Sequence, residues 1–181
     1  METIPKIDNL VRILGDLRRN LGPVTVITVF AMQITLAHIG ARAGSKDGLE
    51  ALTQAYLKRC SSYAPCESHG FRSESDLWEW VARRQGRTPV LAVLLDSRGK
   101  QMSSEAFAAW LGKHRDEGAQ QIVLAVGPAD GWSPEARKRA ALLLSLGPMT
   151  LAHGLARVVL AEQLYRAFTI LAGHPYHTGH A

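Results

Sequence analysis

Two almost unbroken apolar runs, VLAVLL at positions 90–95 and IVLAV at 122–126, constrain the fold of this chain more than any other feature. Both are too short for buried helices of ordinary length, and neither alternates as a half-wetted strand does. Each therefore suits a strand covered on both faces, as in a parallel sheet. Helical signals lie between and after them. Ser103 or Ser104 can cap a helix reaching about Arg115, and Ser133-Pro134 opens another, with proline at the favoured first position. Upstream, a strand over 32–39 precedes a helix over about 46–62, in which Leu49, Leu52, Tyr56 and Leu57 share a face. A weaker strand candidate at 66–71 precedes a helix that Ser73 can cap and that carries Leu77, Trp78 and Val81. The last long helix spans about 152–171. Strands alternating with helices predict an α/β fold built on a largely parallel sheet.

Residues 5–21 place Ile7, Leu10, Val11, Leu14, Leu17 and Leu21 at helical spacing, and Gly22-Pro23 ends that pattern. Met32 then opens a segment that reads as a fresh start. Residues 1–31 are expected to be an N-terminal extension, either a surface helix or the product of an upstream start codon, with the core domain over 32–181. The charged residues Glu2, Lys6, Asp8, Arg12, Asp16, Arg18 and Arg19 argue against a secretory leader. The apolar run 24–39 holds Thr25, Thr28, Gln33, Thr35 and His38 and is too short to span a bilayer.

At 181 residues and 46% hydrophobic content the chain can bury a real core. Its net charge of +5 permits nucleic acid as a partner without requiring it. Cys60 and Cys66 match no metal spacing and read as free thiols of a cytoplasmic protein, and no metal is expected.

In open α/β sheets ligands bind beyond the carboxyl ends of the strands. Three segments have that placement: the LLDSRGK turn from Leu94, GPADG at 127–131, and SLGPMTLAH at 145–153, the last read as a link between two helices. Glycine there lets main chain approach a ligand or adopt positive φ, although ordinary turns use it for the same reasons. GPADG is neither a dinucleotide fingerprint nor a phosphate loop, because it lacks G-x-G-x-x-G and any following Gly-Lys-Ser/Thr.

The last helix is apolar almost all round, which predicts burial or a subunit interface. Glu162 and Arg166 can pair along it, and His153 shares a face with Arg157. A buried arginine must meet an anion, so Arg157 is a functional candidate. The tail HPYHTGH can be a solvated end, a weak metal tract, or a loop that folds back to offer Tyr176 as an aromatic face and His177 as a proton acceptor.

Taken together, LLDSRGKQMSSEAFA (94–108), VGPADGWSPE (126–135), the stretch from Leu144 to His177 containing EQLYRAFTIL and PYH, and the opening MQITLAHIG resemble one family. It is the ribosomal RNA large subunit methyltransferase H family, the pseudouridine-N3 methyltransferases of the SPOUT superfamily. The resemblance covers 32–181 and none of 1–31. It implies an α/β SPOUT fold with a deep C-terminal trefoil knot, a homodimer with the active site completed across the interface, and S-adenosyl-L-methionine as cofactor. It also implies methylation of N3 of a pseudouridine in 23S rRNA of the assembled ribosome. The family's cofactor positions fall on Leu95, Gly127, Leu146, Gly147, Pro148, Met149, Thr150 and Leu151, with Leu95, Leu146, Met149 and Leu151 expected as apolar walls.

Several residues depart from the family pattern: Pro128 where a second glycine is usual, Gly147 for a serine, Ala152-His153-Gly154 for Pro-His-Gln, and Thr178 for a basic residue. Pro128 removes an amide donor. In the implied mechanism Tyr176 stacks or hydrogen-bonds on the base, Arg157 holds a phosphate or developing charge, and His177 accepts the N3 proton or orients the ring. The alternatives are a ribosome-binding homologue without catalysis, and a SPOUT enzyme for another RNA.

Overall fold

A computed structural model describes residues 32–40 and 48–177 of the chain. The elements are β1 (Gln33–Ile39), α1 (Gly48–Cys60), β2 (Cys66–Phe71), α2 (Glu74–Arg83), β3 (Leu91–Gln101), α3 (Ser104–Asp116), β4 (Gln121–Val126), α4 (Pro134–Arg139), β5 (Leu142–Ser145) and α5 (His153–Leu171), then a 3-10 turn at Pro175–His177. The amphipathic helix expected over 5–21 lies outside the described residues.

The five strands form one sheet in the order β2-β1-β4-β3-β5, and every neighbouring pair is parallel. The two apolar runs are its central strands, β4 and β3. Their side chains alternate after all, but between two dry faces. Ile122, Leu124 and Val126 of β4 join Val93 of β3 and Ile34 and Leu36 of β1 beneath α1, α3 and α5. Val123 and Ala125 join Ala92, Leu94 and Ala37 beneath α2 and the Trp132–Ala136 segment. A strand with both faces covered has no polar face to display, which is why the sequence shows a run.

Serine hydroxyls start three helices as their positions predict. Ser73, Ser103 and Ser133 accept from the amides of Asp76, Ala106 and Ala136 at 3.2, 3.2 and 3.0 Å. Each satisfies an amide that a first turn would otherwise leave unpaired.

Two expectations change. Leu142–Ser145 is a strand, β5, so the segment from Ser145 to His153 links a strand, and not a helix, to the last helix. In addition, β3 runs to Gln101 instead of ending in a turn at Asp96. The cause is shared. Leu144 pairs first with Leu95 and again with Lys100, so residues 96–99 are extra length carried as an irregularity in the ladder. Gly99 passes so close to β5 that an added Cβ would stand 2.6 Å from the Leu143 carbonyl carbon and 2.8 Å from that of Leu144. Main chain on both sides leaves nothing that can turn aside. Gly99→Ala is therefore expected to cost about 2 kcal/mol by overpacking. The urea midpoint measures it, and an unchanged midpoint would show that β5 yields freely.

Candidate active site

Helices α1, α3 and α5 cover one face of the sheet, and α2 with α4 the other. The chain leaving β4 thus departs to the opposite face from the chains leaving its neighbours β1 and β3. Such a reversal parts the loops and opens a crevice at the carboxyl ends of the strands. Leu95 pairs with Val126 on one side and Leu144 on the other, so Leu95, at the irregularity in β3, stands beside Gly127 and Leu146, which follow the ends of the adjacent strands β4 and β5. The structure therefore brings together positions that lie far apart in sequence.

Their surroundings differ. Leu95 and Leu151 are half-buried against the larger core cluster. Leu146 and Gly147 are half-buried and border a cavity of about 240 Å³ with Met102, Phe107, Val159 and Gln163. Pro148 and Thr150 are exposed, and Met149 is 82% exposed. Within one chain Met149 is therefore not an apolar wall. Gly147 has φ +125°, and nothing lies within 4 Å of an added Cβ. Glycine is required there by backbone conformation, and the main chain is left open. The Ser145 hydroxyl fixes the turn, donating to the Gly147 carbonyl and accepting from its amide, both at 3.2 Å.

Gly127 is needed for a different reason. An added Cβ would stand 2.7 Å from the Trp132 ring, which lies across the end of β4. The Trp132 indole N–H also donates to the Leu95 carbonyl at 2.8 Å. Sequence reasoning missed Trp132, whose only signal is a large apolar residue inside a glycine-rich turn. One residue further, Ser133 donates to both oxygens of Glu74, at 2.8 and 2.7 Å. Asp96, next to Leu95, accepts from Arg137 at 2.6 Å and from the Arg98 amide at 2.9 Å. Burial pushes the Asp96 carboxyl up, but the bonds from Arg137 and Arg98 outweigh it and hold it below the ordinary range. The α4 segment is thus strapped onto β3.

Beneath the crevice lies a buried polar cluster. Arg157 is 4% exposed, and its anion in the structure is the Glu50 carboxylate of α1 rather than a ligand at the surface. His38, at the end of β1, is 5% exposed and packs edge-on to His153, their ring centroids 6.0 Å apart. Neither His38 nitrogen has a hydrogen-bond partner among the described residues. Burial pushes His38 down to about 4, and the Arg157 and His153 charges add to it. His153 is lowered by burial and by Arg157, against the carbonyls of Ile39 and Gly127, which favour its proton. Both rings are therefore neutral near pH 7.

Tyr176 lies elsewhere. Its hydroxyl donates to Glu162 at 3.2 Å, its ring meets Tyr165 edge-on, and Arg166 sits 5.1 Å from its centre. Arg166 makes the expected intrahelical pair with Glu162, with Nη2 at 2.6 Å. Burial, Tyr56 and the Glu162 charge push the Tyr176 phenol up to about 12. Glu162 stands nine residues along α5 from His153, roughly 13 Å at the helical rise. Its neighbour Gln163 borders the cavity beside Leu146 and Gly147, so Tyr176 meets α5 at the level of that cavity and not at the His153 end. His177 ends the turn that follows α5.

A family model described as "Predicted SPOUT methyltransferase" matches residues 32–177. A protein named ribosomal RNA large subunit methyltransferase H from Koribacter versatilis is 50% identical over 149 residues, covering 82% of this chain and 100% of that protein. One of the same name from Brucella ovis is 58% identical over 85 residues, covering 47% of this chain and 50% of that protein. Among solved structures, the SpoU methyltransferase AviRb from Streptomyces viridochromogenes, in complex with the cofactor AdoMet, matches with a TM-score of 0.45 at 14% identity. That match covers 80% of this chain and 59% of the other.

The buried cluster makes stability depend on pH. An unfolded His38 titrates near 6.5 and the folded one near 4, so the unfolded chain takes up the proton first. Stability from this site is complete above pH 6.5 and falls as the pH drops towards 4. His153, His69, Glu50 and Arg157 face the ring, and only Glu50 opposes the shift. His38→Leu should flatten the loss between pH 7.5 and 5 by about 2 kcal/mol relative to the parent protein. Urea unfolding at the two pH values measures it, and equal slopes would mean that His38 is solvated.

Proposed function

The chain belongs to the SPOUT methyltransferase family, and on that premise we propose that it transfers the methyl group of S-adenosylmethionine to N3 of a pseudouridine in 23S rRNA of the large ribosomal subunit. The observation that carries the reading is the convergence of Leu95, Gly127 and the Leu146–Leu151 loop on three adjacent strands. The residues fit such a cofactor. Main chain at Gly147 is uncrowded, Leu146 and Leu151 offer apolar surface, and the cavity beside them is bounded by the same loop. Backbone amides and carbonyls of 146–151 would hold the adenine edge, with Gly127 and Leu95 closing the far side. When bound, the cofactor supplies a methyl group on a positively charged sulfur.

The rest of the chemistry is positioning and proton handling. A neutral imide nitrogen is a poor nucleophile, so the N3 proton must leave, and His177 would accept it or orient the ring. With its phenol raised to about 12, Tyr176 keeps its proton and serves as hydrogen-bond donor or stacking face rather than base. Arg157, paired with Glu50, holds α5 against α1 below the site and acts on substrate only through the residues above it.

The working unit is a homodimer, on this reading. Met149 of the loop and Leu155 of the first turn of α5 are 82% and 41% exposed. A second copy laid along α5 would cover that apolar surface and bring its tail to the first copy's loops. The trefoil knot implied by the family is supported by the passage of Gly99 against β5 and by the double pairing of Leu144. No helix among the described residues is long and apolar enough to cross a membrane. The cytoplasm, where ribosomes are assembled, is the proposed location.

Tritiated S-adenosylmethionine incubated with ribosomes from cells lacking this activity provides the test. The expected result is label in 23S rRNA that nuclease digestion and fragment mapping assign to a single pseudouridine; labelled transfer RNA instead would redirect the reading to another substrate. Gly127→Trp and Tyr176→Ala should each be inactive. Co-refolded as an equal mixture, they should recover about a quarter of parental activity, because half the dimers then carry one intact site. No recovery would place each site within a single chain.

A further inference from the structure

Of the residues at the crevice, Trp132 is assigned no role by the family resemblance, yet it meets both Leu95 and Gly127. Its ring is 3% exposed, so it cannot itself face a ligand. Its indole N–H donates to the Leu95 carbonyl at 2.8 Å, and its ring fills the space that a side chain at position 127 would need. The bond falls at a particular place. Immediately after Leu95 the ladder with β5 loses register until Lys100. The Leu95 carbonyl therefore sits where β3 enters its irregularity, and the main chain is there less restrained by the neighbouring strand. Arg137 on Asp96 restrains the following residue from the same segment.

We propose that Trp132 is a positioning residue for the methyl-donor site, which ties β3 at Leu95 to the Gly127 turn and so fixes the distance between two walls of the crevice. The proposal rests on the reading of Leu95 and Gly127 as donor-site positions. It explains why the turn reads G-P-A-D-G-W: glycine at 127 is demanded by the indole, and the indole is demanded by the carbonyl it caps. Without the N–H, the Leu95 carbonyl loses its indole donor in a partly buried place, and the peptide after it is free to rotate. The donor would then have to order that peptide on binding.

The test uses the full chain and calorimetric titration with S-adenosylmethionine and S-adenosylhomocysteine. Trp132→Phe keeps the ring and removes the N–H. Affinity for both molecules should fall about tenfold at unchanged stoichiometry, the loss of one buried hydrogen bond. At saturating donor the turnover on ribosomes should stay within about twofold of the parent, since a positioning residue for the donor changes KM before kcat. The donor-dependent change in tryptophan emission should also vanish, because Trp78 and Trp80 belong to α2 and Trp110 to α3, away from the strand-end loops. A merely structural tryptophan would lower the melting temperature and leave the dissociation constants within twofold, which would overturn the proposal. A parent protein that binds neither molecule would instead remove the donor-site reading beneath it.

If Trp132→Phe does not fold, Gly127→Ala tests the same tie from the other side, because its methyl group displaces the indole. Binding should weaken about tenfold in that variant, and adding Trp132→Leu, which removes the tie altogether, should weaken it by no more than about a further twofold, because both changes break one contact. Fully additive losses would show that the Gly127→Ala effect comes from direct contact at Gly127 and would overturn the proposal.

Discussion

Every feature of the crevice depends on β4 being hydrogen-bonded on both sides. Ile122 to Val126 run beside Ile34 to His38 of β1 and Leu91 to Leu95 of β3, all in parallel register. Parallel neighbours require a crossover between them, and each crossover must choose a face. Here the chain leaving β4 takes the face opposite to those leaving β1 and β3, so the loops part above the strand that holds the sheet together. The site is thus placed by the sheet's most rigid member, and its loops inherit fixed starting points.

Rigidity at the strand ends is then built residue by residue. Trp132 to Leu95, Arg137 to Asp96 and Ser133 to Glu74 draw the segment after β4 down onto its surroundings. On the other face His153 faces the carbonyls of Ile39 and Gly127 while Arg157 joins α5 to α1 through Glu50. By contrast Pro148 to Thr150 stand free in one chain. A stiff wall thus stands beside an open loop.

Much of this was legible in the sequence, for definite reasons. VLAVLL and IVLAV announced central strands because apolarity on both faces leaves no alternation, and the three capping serines marked helix starts because their hydroxyls have one profitable local use. What stayed hidden depended on partners distant in sequence. LLLS at 142–145 carries no strand signal of its own, and it became β5 only because β3 offers a free ladder. Gly99 and Gly127 read alike as turn glycines, yet one is required by the main chain of β5 and the other by an indole ring. Arg157 was recognisable as needing an anion, but Glu50, its anion, sits 107 residues away. Tyr176 and His177 were legible through their chemistry and the family they resemble; that the Glu162 carboxylate accepts from the Tyr176 hydroxyl was not.

The order in which the chain is made gives the β3–β5 contact another meaning. Until Leu142–Ser145 emerges, the outer ladder of β3 is an open edge along one of the most apolar segments of the protein. Until α5 follows, Val93, Ile122 and Leu124 lack the helix that covers them. Residues 142–171 therefore supply both the missing strand and the missing lid of the core, and they come last. A nascent or truncated chain ending before them would display a sticky parallel edge above a bare apolar face, the combination that drives edge-to-edge aggregation. A chain that is finished quickly, or shielded until residues 142–171 arrive, avoids that exposure.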